Sequence, residues 1–300
     1  MIRRLGLIAV TLTAAVSMSA CSMFGMAPDP AKRGAAAELV PQRYLDAGKI
    51  RVATLFPYPP MTYFDDDGNL TGFDYELGEA LGDRLGIEFE VTHQEWATVI
   101  PSLQAGLHDI IISSMNDTLE REKTLDFVDY FGGGFSILVP KGNPEGIQQL
   151  SDLCGKSAAV PANAAQGAIV EAASKKCPAG TSINIVYLPD DAQAQQAVRA
   201  GNVSADIQDA AISSFVAMVA GDGTYFDTIP NGANPDKDTT ILTGIGVLKG
   251  NDDLVKALQA GVQELMDDGT YMTLLKKYNL QDFGIPKATI NGAGQLATSL

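Results

Sequence analysis

Between Ile50 and Gln208 the chain spells one order of elements twice, and this doubled rhythm constrains its fold more than any single motif. In the first round Ile50 to Leu55 reads as a strand, and Phe73 to Leu85 sets Phe73, Leu77, Ala80, Leu81 and Leu85 at helical spacing. Ile87 to Val91 is a second strand, Ala97 to Ala105 a helix stopped by Gly106, and Asp109 to Ser113 a third strand. Ala158 to Val160, Ala164 to Ser174, Ile183 to Leu188, Ala192 to Ala200 with Gly201 as its stop, and Ala205 to Gln208 run through the series again. Such alternation predicts an α/β fold of two lobes, each a mostly parallel sheet flanked by helices. Two extended segments, Phe135 to Val139 and Ile241 to Leu248, are expected to join the lobes as hinge strands. Helices over Asp252 to Asp267 and Thr270 to Tyr278 follow. The division expected is residues 42–138 plus 243–286 for a discontinuous first lobe, 139–242 for the second, and 287–300 for a loose tail without apolar periodicity.

Charge removes one class of function. The chain carries 21 Lys and Arg against 36 Asp and Glu, a formal charge of −15, whereas a nucleic-acid binder needs a basic face to displace counterions. At 46% apolar and 19% charged, the 300 residues are too rich in core-formers to stay disordered. Common catalytic signatures are also missing: there is no Gly-x-Ser-x-Gly elbow, His-Glu-x-x-His pair or phosphate loop. The run Gly132-Gly133-Gly134 lacks the Lys and the helix start that a phosphate loop needs. Two His, His93 and His108, and three Cys offer little for a metal cage, so neither metal nor cofactor is expected.

The first twenty residues read as an export signal: Arg3 and Arg4, an apolar run from Leu5 to Val16, then small residues to Ala20. The run is about a dozen residues, short of the roughly 20 that cross a bilayer. Ser19-Ala20-Cys21 resembles the lipobox of bacterial lipoproteins, with Met18 where Leu is usual. That resemblance implies lipidation of Cys21, an extracytoplasmic location, and a membrane partner reached only through the lipid. Residues 21–41, rich in Gly, Ala and Pro at first, are expected to act as a tether. With Cys21 lipidated, Cys154 and Cys177 are the remaining thiols, expected to pair outside the cytoplasm; two separate buried thiols are the alternative.

The segment from Ile110-Ile111-Ile112-Ser113-Ser114-Met115-Asn116-Asp117-Thr118-Leu119-Glu120-Arg121 to Phe127 carries a family likeness. So do Gly72-Phe73-Asp74-Tyr75-Glu76-Leu77, Leu153-Cys154-Gly155-Lys156, Ala205-Asp206-Ile207-Gln208-Asp209 and Asp268-Gly269-Thr270-Tyr271, each in the expected order. Over residues 42–285 the chain resembles the bacterial extracellular solute-binding proteins of the polar amino acid group, family 3. The resemblance implies a two-lobe, periplasmic-binding-protein-like (Venus flytrap) fold. It also implies a monomer that captures an amino acid and delivers it to the permease of an ATP-binding-cassette importer. A dehydratase acting on cyclohexadienyl substrates and a ligand-presenting sensor are the alternatives on that scaffold.

The same resemblance assigns the site. Arg121 matches the guanidinium that pairs with the ligand carboxylate, with Thr118 capping its short helix. Asp209 and the carbonyl of Ser114 match acceptors for the ammonium, and Tyr58 and Trp96 match flanking rings. Taken alone, Arg121 reads as a surface ion pair, Asp209 as a helix cap and both rings as core. Asn116 stands where Thr is usual, and Ala164 and Ala165 open a helix whose customary Thr is missing, leaving only its free amides. Leu55 occupies a position that is often acidic, which points to a ligand with a neutral side chain.

Overall fold

The computed structural model describes residues 27–234 and 240–293. Cys21, the export signal and the lipobox lie outside the described residues. The first lobe opens with α1 (Gln42–Ala47), β1 (Lys49–Thr54), a small hairpin of β2 (Tyr63–Phe64) and β3 (Leu70–Thr71), and α2 (Phe73–Leu85). It continues through β4 (Glu88–His93), α3 (Val99–Gln104), β5 (Ile110–Ile111) and β6 (Leu125–Gly133). The second holds β7 (Phe135–Pro140), β8 (Ser157–Pro161), α4 (Ala165–Lys175), β9 (Asn184–Leu188), α5 (Asp191–Arg199), β10 (Ala205–Asp209), α6 (Ala210–Val219) and β11 (Phe226–Ile229). The chain then returns to the first lobe as β12 (Ile241–Leu248), α7 (Asp252–Asp267), α8 (Thr270–Lys277) and β13 (Gly284–Ile290). Helix ends follow local chemistry: Gly86 ends α2 with φ 66, and the Asp190 side chain caps α5 by accepting the Gln193 N–H.

The first sheet is ordered β13-β6-β12-β5-β1-β4 and the second β11-β7-β10-β8-β9. Neither is mostly parallel as expected. β5, β1 and β4 run parallel, as do β10, β8 and β9, but the other neighbours pair antiparallel. The reason lies in the crossings. A helical crossover returns a strand parallel, whereas a chain that leaves a sheet and re-enters it from the other lobe arrives in the opposite sense. Buried Phe73, Leu77, Leu81, Leu85, Val262 and Leu265 pack α2 and α7 onto the first sheet. Ile137, Val139, Val160, Ile169, Val170 and Ile207 fill the second lobe.

Both hinge segments sit differently from the expectation. β7 belongs wholly to the second sheet and β12 wholly to the first, so the chain crosses at Gly134 and again between Ile229 and Ile241. The crossings are fastened to each other: Phe135 N–H donates to Asn234 Oδ1 at 2.5 Å, and Ala233 N–H donates to the Phe135 carbonyl at 3.2 Å. A methyl group on Gly134 would stand 2.5 Å from Asn234 Nδ2, so a larger residue there would displace the Asn234 side chain from its bond to Phe135.

Two segments expected to be loose are ordered. Residues 30–39 form two short 3₁₀ turns whose Ala36 and Ala37 are buried against α2 and α7, and Ala36 N–H donates to Glu264 Oε1 at 2.8 Å. Small side chains let that backbone approach the helices closely. At the other end β13 pairs with β6, and the Gly292 and Ala293 amides donate to Asp129 and Asp117 at 3.1 and 3.0 Å. Its adhesion comes from the backbone, which no apolar period announces. Cys154 and Cys177 are joined by a disulfide with Cα atoms 5.6 Å apart, tying the turn before β8 to the end of α4. Among the described residues no helix is long and apolar enough to cross a membrane.

Candidate functional site

The first lobe supplies a wall built around a strained residue. Ser114, just past β5, has φ 47, a conformation that L side chains seldom adopt. Asp74 in the first turn of α2 holds it there, accepting the Ser114 N–H at 2.6 Å and its hydroxyl at 2.8 Å. The other oxygen of Asp74 takes the Tyr130 hydroxyl at 2.6 Å. Asp74 is 1% exposed, and burial pushes its carboxyl up to about 6 despite these three donors. It is a positioning residue that stood unassigned in the Phe73-Asp74-Tyr75 motif. Asp74→Ala is expected to cost about 3 kcal/mol, because it leaves buried donors without an acceptor. Urea unfolding checks this, and a change under about 0.5 kcal/mol would show that the Ser114 turn holds itself.

The second lobe contributes carboxyls at two chain ends. Asp209 terminates β10 and accepts Asn116 Nδ2 at 2.9 Å from the opposite lobe and Gln166 Nε2 at 3.2 Å from α4. Burial lifts it to about 6, opposed by Asn116 and by the charge of Arg121. Asp191 opens α5 and lines the cleft together with Tyr58 of the first lobe, each shifting the other's proton balance. Burial and then the charge of Asp209 push Asp191 up to about 8, and the same burial drives the Tyr58 hydroxyl well above its ordinary value. Asp206, fully buried in β10, is also pushed well up by burial, and neither of its carboxylate oxygens has a hydrogen-bond partner among the described residues.

These walls meet around a small interlobe cavity of about 30 Å³, and the Asn116–Asp209 bond across it draws the lobes together. Of the residues expected at the site, Tyr58, Trp96, Ser114, Asn116, Ala164 and Asp209 line it, with Leu55 beside them. Arg121 and Ala165 do not. Arg121 stands behind Trp96, 5.3 Å from its ring, where NH1 donates to the Asn116 carbonyl at 2.7 Å and NH2 to the Asn163 carbonyl at 3.0 Å. It therefore spans the two lobes, and burial lowers its guanidinium to about 10. The expected Thr118 cap is present, its hydroxyl accepting the Arg121 N–H at 3.2 Å. Ala165 begins α4 one residue after Ala164, which offers no side-chain cap, so the first amides of that helix face the mouth of the cleft unclaimed by a side chain.

Gln166, Asp190 and Asp191 also line the cavity and were not expected. Three aspartates thus line one small space, and no Lys, Arg or His among the described residues does so. In the sequence Asp190-Asp191 reads as a helix cap and a first-turn acid, both ordinary there, so nothing local marks the second as a wall of the cleft.

Comparison with known proteins agrees with this geometry. Residues 50–281 match the family described as bacterial extracellular solute-binding proteins, family 3. The chain is 28% identical over 234 residues to the L-cystine-binding protein TcyJ of Escherichia coli (strain K12), covering 78% of this chain and 83% of that protein. It is 29% identical over 236 residues to the lysine/arginine/ornithine-binding periplasmic protein of the same organism, covering 76% and 86%. Among solved structures, the ancestral amino acid-binding protein AncCDT-1, a precursor of cyclohexadienyl dehydratase, matches with TM-score 0.68 and 28% identity, covering 79% of this chain and 97% of that one.

Proposed function

Because the chain belongs to the bacterial extracellular solute-binding proteins of family 3, we propose that it captures a free amino acid between its lobes outside the cytoplasm and passes it to an ATP-binding-cassette importer, anchored by a lipid on Cys21. One observation carries the reading: Asp209 of the second lobe and Ser114 and Asn116 of the first line a single buried cavity, so a ligand ammonium there contacts both halves. Arg121 complements it. Its two carbonyl bonds, one to each lobe, are the contacts that a ligand carboxylate exchanges for a bidentate ion pair. The first amides of α4 add donors beside it. Only closed lobes present both sets of groups together, so binding favours closure. The names of the relatives, which specify cystine and the basic amino acids, support the ligand class.

A melting screen of residues 22–300 against the twenty amino acids tests this. A ligand at 100 times its Kd should add about 2.7 kcal/mol of stability. A panel with no shift would overturn the proposal. One observation favours a second reading, a dehydratase on the same scaffold: Asp191, with its carboxyl near 8, is a cleft acid able to protonate a leaving hydroxyl. Release of phenylpyruvate from prephenate by the purified protein would decide for the enzyme.

A further inference from the structure

We propose that Asp191 is a specificity residue that receives a positively charged ligand side chain, so that the protein selects cationic amino acids. The inference rests on the amino acid reading above and replaces the neutral side chain that Leu55 alone suggests.

Charge accounting within the cleft carries it. A zwitterion brings one positive and one negative group, and Asp209 and Arg121 answer these in turn. Asp191 is then left over. It is 8% exposed, it lines the cavity with Tyr58 of the first lobe, and its Oδ1 has no hydrogen-bond partner among the described residues. A buried carboxyl with a free oxygen keeps its proton unless a cation or a donor reaches it and makes the ionised form favourable. No basic side chain among the described residues lines the space, so a cationic ligand is the partner that would ionise it. Leu55, Tyr58 and Trp96 line the same space, and once the lobes part to admit a ligand they offer an apolar and aromatic wall for the aliphatic stem of a lysine or arginine. The acid that Leu55 lacks in the first lobe is thus supplied from the second.

The groups that face Asp191 fix the proton balance. Tyr58 approaches from the first lobe, Asp190 precedes it on its own turn, and Asp209 and Asp206 come from β10. Arg121 acts on this cluster through Asp209. With its carboxyl near 8, Asp191 holds a proton at neutral pH, and a bound cation expels it. Affinity for a cationic ligand should therefore rise with pH up to about 8 and level off above it.

L-citrulline matches L-arginine in length but carries no charge, which makes the pair a direct probe by calorimetry. The wild-type protein should bind L-arginine about tenfold or more tightly than L-citrulline. It should also release a proton with arginine alone, read as a binding enthalpy that depends on the ionisation heat of the buffer. In Asp191→Asn the arginine-to-citrulline ratio should collapse to within about threefold of one. A wild-type ratio already that small, or a ratio unchanged in the variant, overturns the inference. If the variant does not fold, the wild-type ratio and proton release decide. Binding of neutral amino acids without preference for charge sinks only this assignment, whereas no binding of any amino acid sinks the functional reading beneath it.

Discussion

Replacing Arg121 by alanine is expected to lower the affinity for the captured amino acid about a hundredfold. The guanidinium lies half-buried behind Trp96 and is the positive charge that acts on Asp209. A ligand carboxylate drawn into that region without it keeps the cost of desolvation and loses the ion pair that offsets it. The substitution also removes the donor that links the Asn116 and Asn163 carbonyls, so the closed arrangement loses a tie between lobes even before ligand enters. Arg121→Lys should recover only part of the loss, since an ammonium cannot make two parallel bonds to a carboxylate. Calorimetry on the alanine variant is the measurement, and a loss smaller than about threefold would exclude Arg121 from ligand binding.

Acidification should stabilise this protein before it harms it. Asp74 and Asp209 lie near 6, Asp117 and Asp191 near 8, and Asp129 and Asp206 are also raised, all chiefly by burial. A carboxyl raised in the folded state binds its proton there at pH values where the unfolded chain has already released it. Stability is then complete at low pH and falls as pH climbs through the folded value. For Asp74, moved from 3.8 to about 6, the full difference between pH well above 6 and pH well below 3.8 is about 3 kcal/mol. Melting temperature should therefore rise as pH is lowered from 8 toward 5. Near pH 4 and below the trend reverses, because Asp126 with Lys249 and Glu76 with Lys277 are held below the ordinary range and lose their contribution on protonation. A melting temperature that is flat or drops between pH 8 and pH 6 would contradict the buried carboxyls.

How far the sequence reached depended on whether a position announces itself locally. Helix α2 falls at the residues its apolar spacing marks, and Gly106 and Gly201 follow α3 and α5 closely. Strand direction is not written in periodicity, so the antiparallel halves of both sheets were invisible: they follow from where the chain crosses between lobes. β13 and the turns at 30–39 escaped because backbone pairing and small side chains hold them. At the site, aligned family positions gave Asp209, Ser114, Asn116, Tyr58, Trp96 and Ala164 on the cavity wall. Arg121 lies off that wall, engaging two carbonyls at the rim, and Asp191, which lines the cavity, was not among them.

The fastening between the two crossings governs how the molecule can move. Phe135 and Asn234 bind the outgoing and returning chains into a single ribbon, with Gly134 leaving no slack between them. Chains tied side by side favour rotation about one shared axle, so a fluorophore pair placed across the rim should report the opening stroke.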